Sequence, residues 1–237
     1  MKTIAFLNDI HLDETEPLEH GIRPQENWKR LLDHIAHHHV DNIVFGGDIG
    51  GKNAYPWFFA SLKPWGKNFH LLIGNHDNYD EAIKYYPSVN SELYYAYEDG
   101  HVKYIALDSS TSWISTTQLT WLKAELSTPK KILIFIHHPI LEVDTPVDRV
   151  YPLKNREQVR DLLLTLPNPI HIFCAHYHMS DVQTQHNLTQ YITPAASYQI
   201  KKQARDIEVD NSNYGYRLIS IDEDRINSRI ILLNNLN

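Results

Sequence analysis

Short apolar runs rich in Ile, Val and Phe recur along the chain, and segments of helical periodicity separate them. Apolar runs of this kind, bounded by turn residues, predict buried β-strands. Alternation of such strands with helices is typical of an α/β fold. The predicted strands are residues 3–7, 43–45, 69–73, 102–107, 132–136 and 170–174.

Three segments carry the pattern of surface helices. The first covers about residues 26–39, where apolar side chains recur at i, i+3, i+4 and i+7 and form one face. A second helix begins near Ser115, because the spacing of Ser115 and Gln118 is that of a capping box. A third helix follows Asn155. Each helix is expected to lie outside a sheet with its apolar face turned inward.

The alternation of strands and helices ends after Met179. Strand-like pieces near residues 190–193, 216–221 and 228–232 follow without a clear helix between them, which predicts antiparallel strands that close a sheet. No internal repeat and no long Gly-, Ser- or Pro-rich linker divides the chain, so residues 1–237 are expected to form one domain. The predicted fold class is α/β with mixed β-sheets and helices outside.

Residues suited to metal binding directly follow five of the predicted strands. Ligands collect beyond the carboxyl ends of strands in open α/β sheets, so these residues are expected to converge. Where two candidates are spaced i and i+2, alternation along a strand places them on one side. Glycines before Asp48 and Asn75 permit tight turns and a close approach of the backbone. The motifs are Asp9-Ile10-His11, Gly46-Gly47-Asp48, Gly74-Asn75-His76-Asp77, His137-His138-Pro139 and Ala175-His176-Tyr177-His178.

The donor set favours a catalytic metal site over a structural one. Structural zinc sites are closed and rich in cysteine, whereas imidazole mixed with carboxylate and amide oxygen suits Mn, Fe, Zn or Co. The candidate ligands are too many for one ion but suit two ions that share a carboxylate. Two such ions lie about 3.5–4 Å apart and hold a bridging hydroxide between them. The seven candidate ligands are Asp9, His11, Asp48, Asn75, His137, His176 and His178.

The composition of the chain argues against some classes of partner and indicates a location in the cell. A net charge of −7 and a pI near 6.1 argue against nucleic-acid binding, which needs a clustered excess of Lys and Arg. The apolar runs fall far short of the roughly 20 residues that span a bilayer, so no membrane partner is expected. Cys174 is the single cysteine and permits no internal disulfide, and the amino terminus lacks a signal-peptide pattern. These features predict a cytoplasmic protein.

The order of the five motifs resembles that of the calcineurin-like metallophosphoesterase superfamily over roughly residues 3–178. The resemblance implies a central mixed β-sandwich flanked by helices in four layers, αββα. It also implies two divalent ions, or Fe(III) with a divalent ion, drawn from Mn, Fe and Zn. By position it assigns Asp9, His11 and His178 to one ion, Asn75, His137 and His176 to the other, and Asp48 to both.

The same resemblance implies hydrolysis of a phosphate ester by attack of a metal-bridged hydroxide on phosphorus. His76 is then the catalytic residue, which acts beside the phosphate as electrophile or general acid and is not a ligand. No Ser or Cys nucleophile is required. Contacts with a small phosphorylated substrate, expected to be a nucleotide, are assigned to Asn75, His76 and His138, and a structural role is the open alternative for His138.

A narrower resemblance concerns the substrate. Residues 115–126 and 193–199 are similar to a helix and a strand of class III cyclic-nucleotide phosphodiesterases, which implies a 3′,5′-cAMP-like substrate. A phosphatase or pyrophosphohydrolase that acts on another small phosphorylated metabolite is the alternative. A non-catalytic scaffold is the alternative of another class, and it is less favoured because such relatives lose metal ligands or the equivalent of His76.

Three local features of the motifs stay open at this level. Ala175 stands where the family usually has glycine, and a positive φ there would strain the alanine and disturb His176. Asp77 is expected to order its turn through backbone hydrogen bonds. Several aromatic residues either stack on a nucleobase or pack in a core, and these are Tyr55, Trp57, Tyr79, Tyr85 and Tyr86.

Overall fold

A computed structural model describes residues 1–65, 68–86, 92–222 and 225–235. The strands of its first sheet are β1 (Lys2–Leu7), β2 (Asn42–Gly46), β3 (Asn68–Leu72), β12 (Asn213–Ile221) and β13 (Ile226–Asn234). Their order across the sheet is β13-β12-β1-β2-β3. β1, β2 and β3 run parallel, whereas β12 is antiparallel to both of its neighbours. The carboxyl ends of the three parallel strands therefore share one edge.

The second sheet contains six strands and is also mixed. They are β4 (Tyr95–Asp99), β5 (Val102–Leu107), β6 (Lys131–Ile136), β7 (Ile170–Cys174), β8 (Asp181–Gln185) and β9 (Leu188–Ile192). Their order is β4-β5-β6-β7-β9-β8, with an antiparallel strand at each edge and parallel strands between. A short hairpin of β10 (Gln199–Ile200) and β11 (Val209–Asp210) forms a separate pair.

The helices lie in the connections between strands. They are α1 (Thr15–Glu19), α2 (Pro24–Ala36), α3 (Tyr55–Leu62), α4 (Tyr79–Tyr85), α5 (Thr116–Glu125), α6 (Pro146–Val150) and α7 (Arg156–Leu164), with single 3₁₀ turns at Lys52–Ala54 and Lys63–Trp65. Within the described ranges, none of them is long and apolar enough to cross a bilayer.

The apolar core is arranged in layers. Side chains such as Phe6 of the first sheet and Phe135 of the second meet in a central cluster, with ring centroids 5.4 Å apart. A second cluster packs α2 and α3 on the outer face of the first sheet, and a third packs α5 and α7 on the outer face of the second. The order of layers is therefore helix, sheet, sheet, helix, and the predicted αββα fold class is confirmed.

The six predicted strands are present as β1, β2, β3, β5, β6 and β7, and each boundary lies within one residue of the predicted one. The first predicted helix corresponds to α2, but it begins earlier, at Pro24, because the fixed φ of proline suits the first helical turn. It ends at Ala36, before the three consecutive histidines. The apolar face predicted for it, which includes Trp28 and Leu31, is buried.

The segment after Met179 is only partly as predicted. β12 and β13 are antiparallel and extend the first sheet beside β1, as expected. β9, however, lies parallel to β7 and antiparallel to β8 in the second sheet. The prediction missed β8 because its side chains are at most half-buried, and Val182, its single apolar residue, is exposed.

The capping box predicted at Ser115 is formed on one side only. Ser115 Oγ accepts a hydrogen bond from the Gln118 backbone N–H at 3.1 Å. The Gln118 side chain does not return to Ser115 but pairs with both backbone groups of Asp108, at 2.9 Å each. The glutamine therefore joins the start of α5 to the end of β5.

Candidate metal centre

Five strand ends surround one cavity of about 250 Å³, where the two sheets meet. The loops after β1 and β2 run side by side, since the Ile10 and His11 backbone N–H groups both donate to the Asp48 carbonyl, at 3.0 and 3.2 Å. Asp9 and His137 lie beneath the surface with no exposed area. The cavity lining is His11, Glu16, Asp48, Asn75, His76, Val147, Tyr151, His176, His178, Tyr198, Ile200 and Ile207.

Two groups of ligand-type side chains meet at Asp48. Within each group the ligand atoms lie no more than 4.8 Å apart. Asp48 Oδ2 is 3.7 Å from His11 Nε2 and 3.3 Å from His137 Nε2, so one carboxylate faces both groups. The two groups are Asp9, His11 and His178, and Asp48, His137 and His176; a third group, His11, Asp48 and His76, overlaps both. The first two groups agree with the sets that the resemblance implies, apart from Asn75, and the ligand roles themselves stay a prediction.

Asn75 and His76, which are neighbours in the third motif, both line the cavity. Asn75 is exposed and lines the cavity, and its roles as ligand and substrate contact stay predictions. His76 also lines the cavity, and one of its ring nitrogens lies within ligand reach of His11 and Asp48. Its backbone N–H donates to Asp48 Oδ1 at 2.9 Å. The structure thus brings His76 to the same place as the ligand groups.

Backbone carbonyls orient three of the histidines. In each, one ring nitrogen must donate to a carbonyl oxygen, which leaves the other nitrogen with a lone pair for a cation. The contacts are His137 Nδ1 to Gly46 O at 2.8 Å, His178 Nδ1 to Tyr198 O at 3.0 Å and His176 Nε2 to Tyr151 O at 2.9 Å. Ligating histidines in proteins are commonly fixed in this way.

The buried polar atoms fit a metal ion. Among the described residues, Asp9 Oδ1 and His137 Nε2 are fully buried and have no hydrogen-bond partner. His11 Nε2 and His178 Nε2 lie 3.0 Å apart, so one ring can donate to the other where no cation lies between them. Because unpaired buried acceptors are costly, a bound cation explains these atoms better than structural packing does.

The buried ionisable groups of the centre shift one another's pKa values. Burial, opposed by His137 and reinforced by Asp48, raises the pKa of Asp9 to about 7. Burial also opposes ionisation of Asp48, but the attraction of the His137 ring, whose Nε2 lies 3.3 Å from Asp48 Oδ2, holds the pKa of Asp48 well below its usual value. The pKa of His137 rises to about 9, because the attraction of Asp48 outweighs burial. The centre therefore holds protons that a metal ion would displace.

The backbone at these positions is unusual. Five candidate ligands have positive φ, which is uncommon for residues other than glycine. Such strain persists where surrounding contacts over-determine the conformation, and it is concentrated at functional sites. The residues are Asp9 (50°), His11 (51°), Asp48 (60°), His176 (71°) and His178 (48°). The candidate pairs therefore share the site through left-handed turns after the strands, and the expectation of simple strand alternation is wrong.

Ala175 is not strained by replacing the usual glycine. Among the described residues with positive φ, Ala175 does not occur, whereas His176 beside it does. The Ala175 backbone N–H donates to the His137 carbonyl at 2.9 Å, which ties the end of β7 to that of β6. The alanine is thus compatible with the observed placement of His176.

Asp77 orders its turn as predicted. Its carboxylate accepts backbone hydrogen bonds from Asp48 at 2.7 Å and from Ile49 and Gly74 at 2.8 Å each. The Tyr55 hydroxyl donates to the same carboxylate at 3.0 Å. Asp77 therefore joins the loops after β2 and β3 and fixes the position from which Asp48 reaches both ligand groups.

Gly74 approaches the centre too closely for any side chain. A Cβ at this position would lie 2.1 Å from Asp48 Oδ1 and 2.6 Å from His137 Cε1. We expect Gly74→Ala to weaken Mn²⁺ binding at least ~10-fold, because it displaces the shared carboxylate. Equilibrium dialysis followed by elemental analysis measures this.

Gly51→Ala is the matched control for the Gly74 variant. Its Cβ would meet nothing closer than the Asp13 carbonyl at 3.4 Å, and its φ of −59° suits alanine. We expect Gly51→Ala to bind Mn²⁺ as the unmodified protein does. Equal affinity of the Gly74 and Gly51 variants would contradict the crowding argument.

The surroundings of His138 favour the structural alternative. It is fully buried and is not among the residues that line the cavity. Its Nδ1 lies 3.0 Å from Ser109 Oγ and its Nε2 lies 3.3 Å from Ser112 Oγ, while its ring packs against His176 with centroids 4.1 Å apart. A contact of His138 with substrate stays a prediction.

The aromatic residues beside the cavity are also different from those expected. Tyr55, Trp57, Tyr79, Tyr85 and Tyr86 are absent from its lining. In the described part of the chain, Tyr151 and Tyr198 provide its aromatic wall. Tyr151 follows α6 and is more than half exposed, whereas Tyr198 follows the second sheet and is buried. Tyr198 belongs to the segment 193–199 that resembles a phosphodiesterase strand, but neither tyrosine was singled out as a cavity residue.

Glu14 is a further residue that sequence reasoning missed. Its Oε2 lies 2.9 Å from His11 Nδ1 and 3.1 Å from His76 Nδ1. Although burial opposes ionisation, these two hydrogen bonds lower the pKa of Glu14 to about 2. The hydrogen bond to Glu14 raises the pKa of His76 to about 9, so this ring is protonated at neutral pH in the metal-free protein. Its closeness in sequence to His11 was the available signal.

Comparisons with known proteins agree with this geometry. The family model described as "Calcineurin-like phosphoesterase" matches residues 2–180, which include all five motifs. A protein of Fibrobacter succinogenes named "Probable cyclic nucleotide phosphodiesterase" is 26% identical over 240 residues, covering 98% of this chain and 94% of that protein. A protein of Arcobacter nitrofigilis named "Probable glycerophosphodiester phosphodiesterase" is 28% identical over 176 residues, covering 68% of this chain and 64% of that protein.

Solved structures show the same fold. A dimetal phosphatase from Danio rerio superposes with a TM-score of 0.76 at 14% identity, covering 98% of each chain. At that identity the likeness concerns the fold, and the family match carries the assignment. The chain belongs to the calcineurin-like phosphoesterase family and is a metal-dependent phosphoester hydrolase.

Proposed function

We propose that this protein is a binuclear phosphodiesterase that hydrolyses a 3′,5′-cyclic nucleotide. The observation that carries the proposal is the position of Asp48, whose carboxylate lies between two groups of ligand atoms at the base of a single cavity. A carboxylate that faces two such groups is suited to bridge two cations. Mn, Fe and Zn all suit this mixture of imidazole and carboxylate.

The ligands that we propose for the two ions are those of the resemblance, and the grouping of the His and Asp side chains supports them. Asp9, His11 and His178 would hold one ion, Asn75, His137 and His176 the other, and Asp48 both. Two ions held there would supply an activated water and neutralise charge on the phosphoryl oxygens. The carbonyl groups that orient the histidines keep the ligand nitrogens aimed at the ions without further reorganisation.

His76 would act as the general acid. It lies on the cavity lining, and its hydrogen bond to Glu14 favours the protonated ring. A protonated imidazole beside the phosphate donates a proton to the oxygen that leaves when the P–O bond breaks. The alkoxide that leaves a cyclic nucleotide is a poor leaving group in the absence of such a proton, so an acid at this place suits that substrate.

Part of the cavity lining suits a nucleoside. Val147, Tyr151, Tyr198, Ile200 and Ile207 add apolar and aromatic surface beside the ligand groups. A volume of about 250 Å³ fits a small molecule, and the exposed ring of Tyr151 would be available to a base whose phosphate lies at the ligand groups. The name of the Fibrobacter succinogenes relative supports the same substrate class.

A glycerophosphodiester is the second candidate substrate. It is favoured by the name of the Arcobacter nitrofigilis relative. Such a substrate also presents a phosphodiester with an alkoxide leaving group, but it lacks a base that could lie against Tyr151. A phosphatase or pyrophosphohydrolase of another small metabolite remains the alternative for reactions other than diester cleavage.

A substrate panel tests the proposal. We expect the Mn²⁺-loaded protein to hydrolyse 3′,5′-cAMP with kcat/KM at least ~10-fold above that for glycerophosphocholine, 5′-AMP or a dinucleoside diphosphate, because the first of these lacks a base and the other two lack a phosphodiester with an alkoxide leaving group. Removal of metal with EDTA should stop hydrolysis, and Mn²⁺ should restore it. Preference for glycerophosphocholine or a monoester would replace the proposed substrate, and a metal-free, inactive protein would indicate a scaffold.

A further inference from the structure

Glu14 directly precedes α1 and lies between two histidines that come from different strand ends. Its Oε2 contacts His11 Nδ1 at 2.9 Å and His76 Nδ1 at 3.1 Å. The two rings meet edge to face, with centroids 4.8 Å apart. The side chains of Glu14 and His11 are 19% and 3% exposed and that of His76 is 43% exposed, so the contact with His11 is the better shielded of the two. One carboxylate oxygen thus joins the loop after β1 to the loop after β3.

The chemistry of this contact determines which nitrogens carry protons. An ionised carboxylate only accepts hydrogen bonds, so both imidazoles donate to it from Nδ1. For His11, Nε2 then faces the metal centre, 3.7 Å from Asp48 Oδ2. For His76, Nε2 is left as the nitrogen that can give a proton to a leaving oxygen. Glu14 is placed to set the orientation of the proposed general acid.

Neighbouring carboxylates are engaged elsewhere. Asp77 follows His76 in the chain, but its oxygens accept backbone hydrogen bonds from Asp48, Ile49 and Gly74. Glu16 lines the cavity, but its Oε2 accepts from the Tyr198 hydroxyl at 3.3 Å. Glu14 is therefore the carboxylate that holds the His76 ring from its Nδ1 side.

We propose that Glu14 positions His76 for proton transfer to the leaving oxygen. The inference rests on the proposed diester hydrolysis with His76 as the acid. In the transfer, the proton moves from His76 Nε2 to the oxygen of the breaking P–O bond. Water supplies the oxygen that bonds to phosphorus and the proton that restores the ring. Glu14 exchanges no proton in this step and keeps the ring aligned through the Nδ1–H hydrogen bond.

Two synthetic diesters separate this role from a general structural one. Diphenyl phosphate loses a phenolate that needs a proton, whereas bis-p-nitrophenyl phosphate loses p-nitrophenolate, which needs little help. We expect Glu14→Ala to lower kcat for diphenyl phosphate by ~10–100-fold with a small change in KM, following the usual weight of a residue that orients a functional group. The loss for bis-p-nitrophenyl phosphate should be clearly smaller. Glu14→Gln, which keeps one acceptor oxygen, should recover part of the rate.

The double variant tests whether Glu14 acts through His76. We expect Glu14→Ala/His76→Ala to be no slower than His76→Ala, because an orienting residue has no effect once its ring is gone. Additive losses, or equal losses on the two diesters, would overturn the inference. Glu19→Ala removes an exposed carboxylate of α1 and should match the unmodified protein.

Two readouts do not depend on turnover. Elemental analysis should find the same metal content in Glu14→Ala as in the unmodified protein, and a loss of metal would show that Glu14 acts through His11 instead. In the Zn²⁺-loaded protein, ¹⁵N NMR should show a hydrogen-bonded proton on His76 Nδ1, and Glu14→Ala should shift that Nδ1 resonance. An unchanged His76 spectrum would overturn the inference. If the metal-loaded unmodified protein hydrolysed neither diester, the proposed function would fail first.

Discussion

Asp48→Ala is expected to lose bound metal and hydrolytic activity together. Asp48 faces both ligand groups, with Oδ2 at 3.7 Å from His11 Nε2 and 3.3 Å from His137 Nε2. Its removal withdraws the one carboxylate that two cations would share and leaves the surrounding imidazoles to repel each other when protonated. We expect kcat on bis-p-nitrophenyl phosphate to fall ~10³-fold or more, since a single lost electrostatic contact often costs ~10²–10³-fold. Elemental analysis and the rate assay on the same preparation measure both losses.

Two further variants make the Asp48 experiment decisive. Asp33→Ala removes an exposed carboxylate from α2 and should retain metal and activity. Asp48→Asn keeps the volume of the side chain and an oxygen for the His76 N–H but lacks the charge, so it should retain the fold while it binds less metal. Circular dichroism checks the fold of each variant. Full metal occupancy in Asp48→Ala would count against a shared carboxylate.

His76→Ala is expected to retain metal and lose turnover. The ring lies on the cavity lining, and its hydrogen bond to Glu14 keeps it protonated in the metal-free protein. Loss of a general acid typically lowers the rate by ~10²–10⁴-fold. We expect a fall of this size in kcat for 3′,5′-cAMP, with a metal content equal to that of the unmodified protein. Steady-state kinetics and elemental analysis give the two values.

The His76 experiment also separates two roles that the structure allows. One His76 nitrogen lies within ligand reach of His11 and Asp48, so a loss of one metal equivalent in His76→Ala would identify it as a ligand. Undiminished turnover would remove it from the reaction altogether. His39→Ala, which removes an exposed histidine beyond the end of α2, is the matched control and should change neither value.

Local pattern predicted the elements that carry the site, and it failed where burial was weak. β1, β6 and β7 read as apolar runs because they are buried on both faces between helices and the facing sheet. β4 and β8 lie at the edges of the second sheet and have few buried side chains, so no such run marks them. The short helices α3 and α4 were missed as well.

For the site as well, local sequence predicted the residue types but not their backbone conformation. Asp9 and His176 were identified from motifs because their side-chain types recur at fixed spacing after strands. Their positive φ angles were not foreseen, since local propensity favours negative φ for both residues. Tyr151, directly after α6, and Tyr198, directly before β10, were not foreseen as cavity residues, because their approach to the cavity depends on tertiary packing.

The sequence by itself determined which donor atoms are available, in which order they occur and which strands deliver them. Only the tertiary structure decided that Asp48 lies between the two ligand groups, that His138 is fully buried and that Glu14 joins His11 to His76. The reason is the sequence separation over which each kind of interaction acts. Strand and turn preferences act over a few neighbouring residues, whereas these distances depend on how two sheets pack face to face and bring remote loops to one edge.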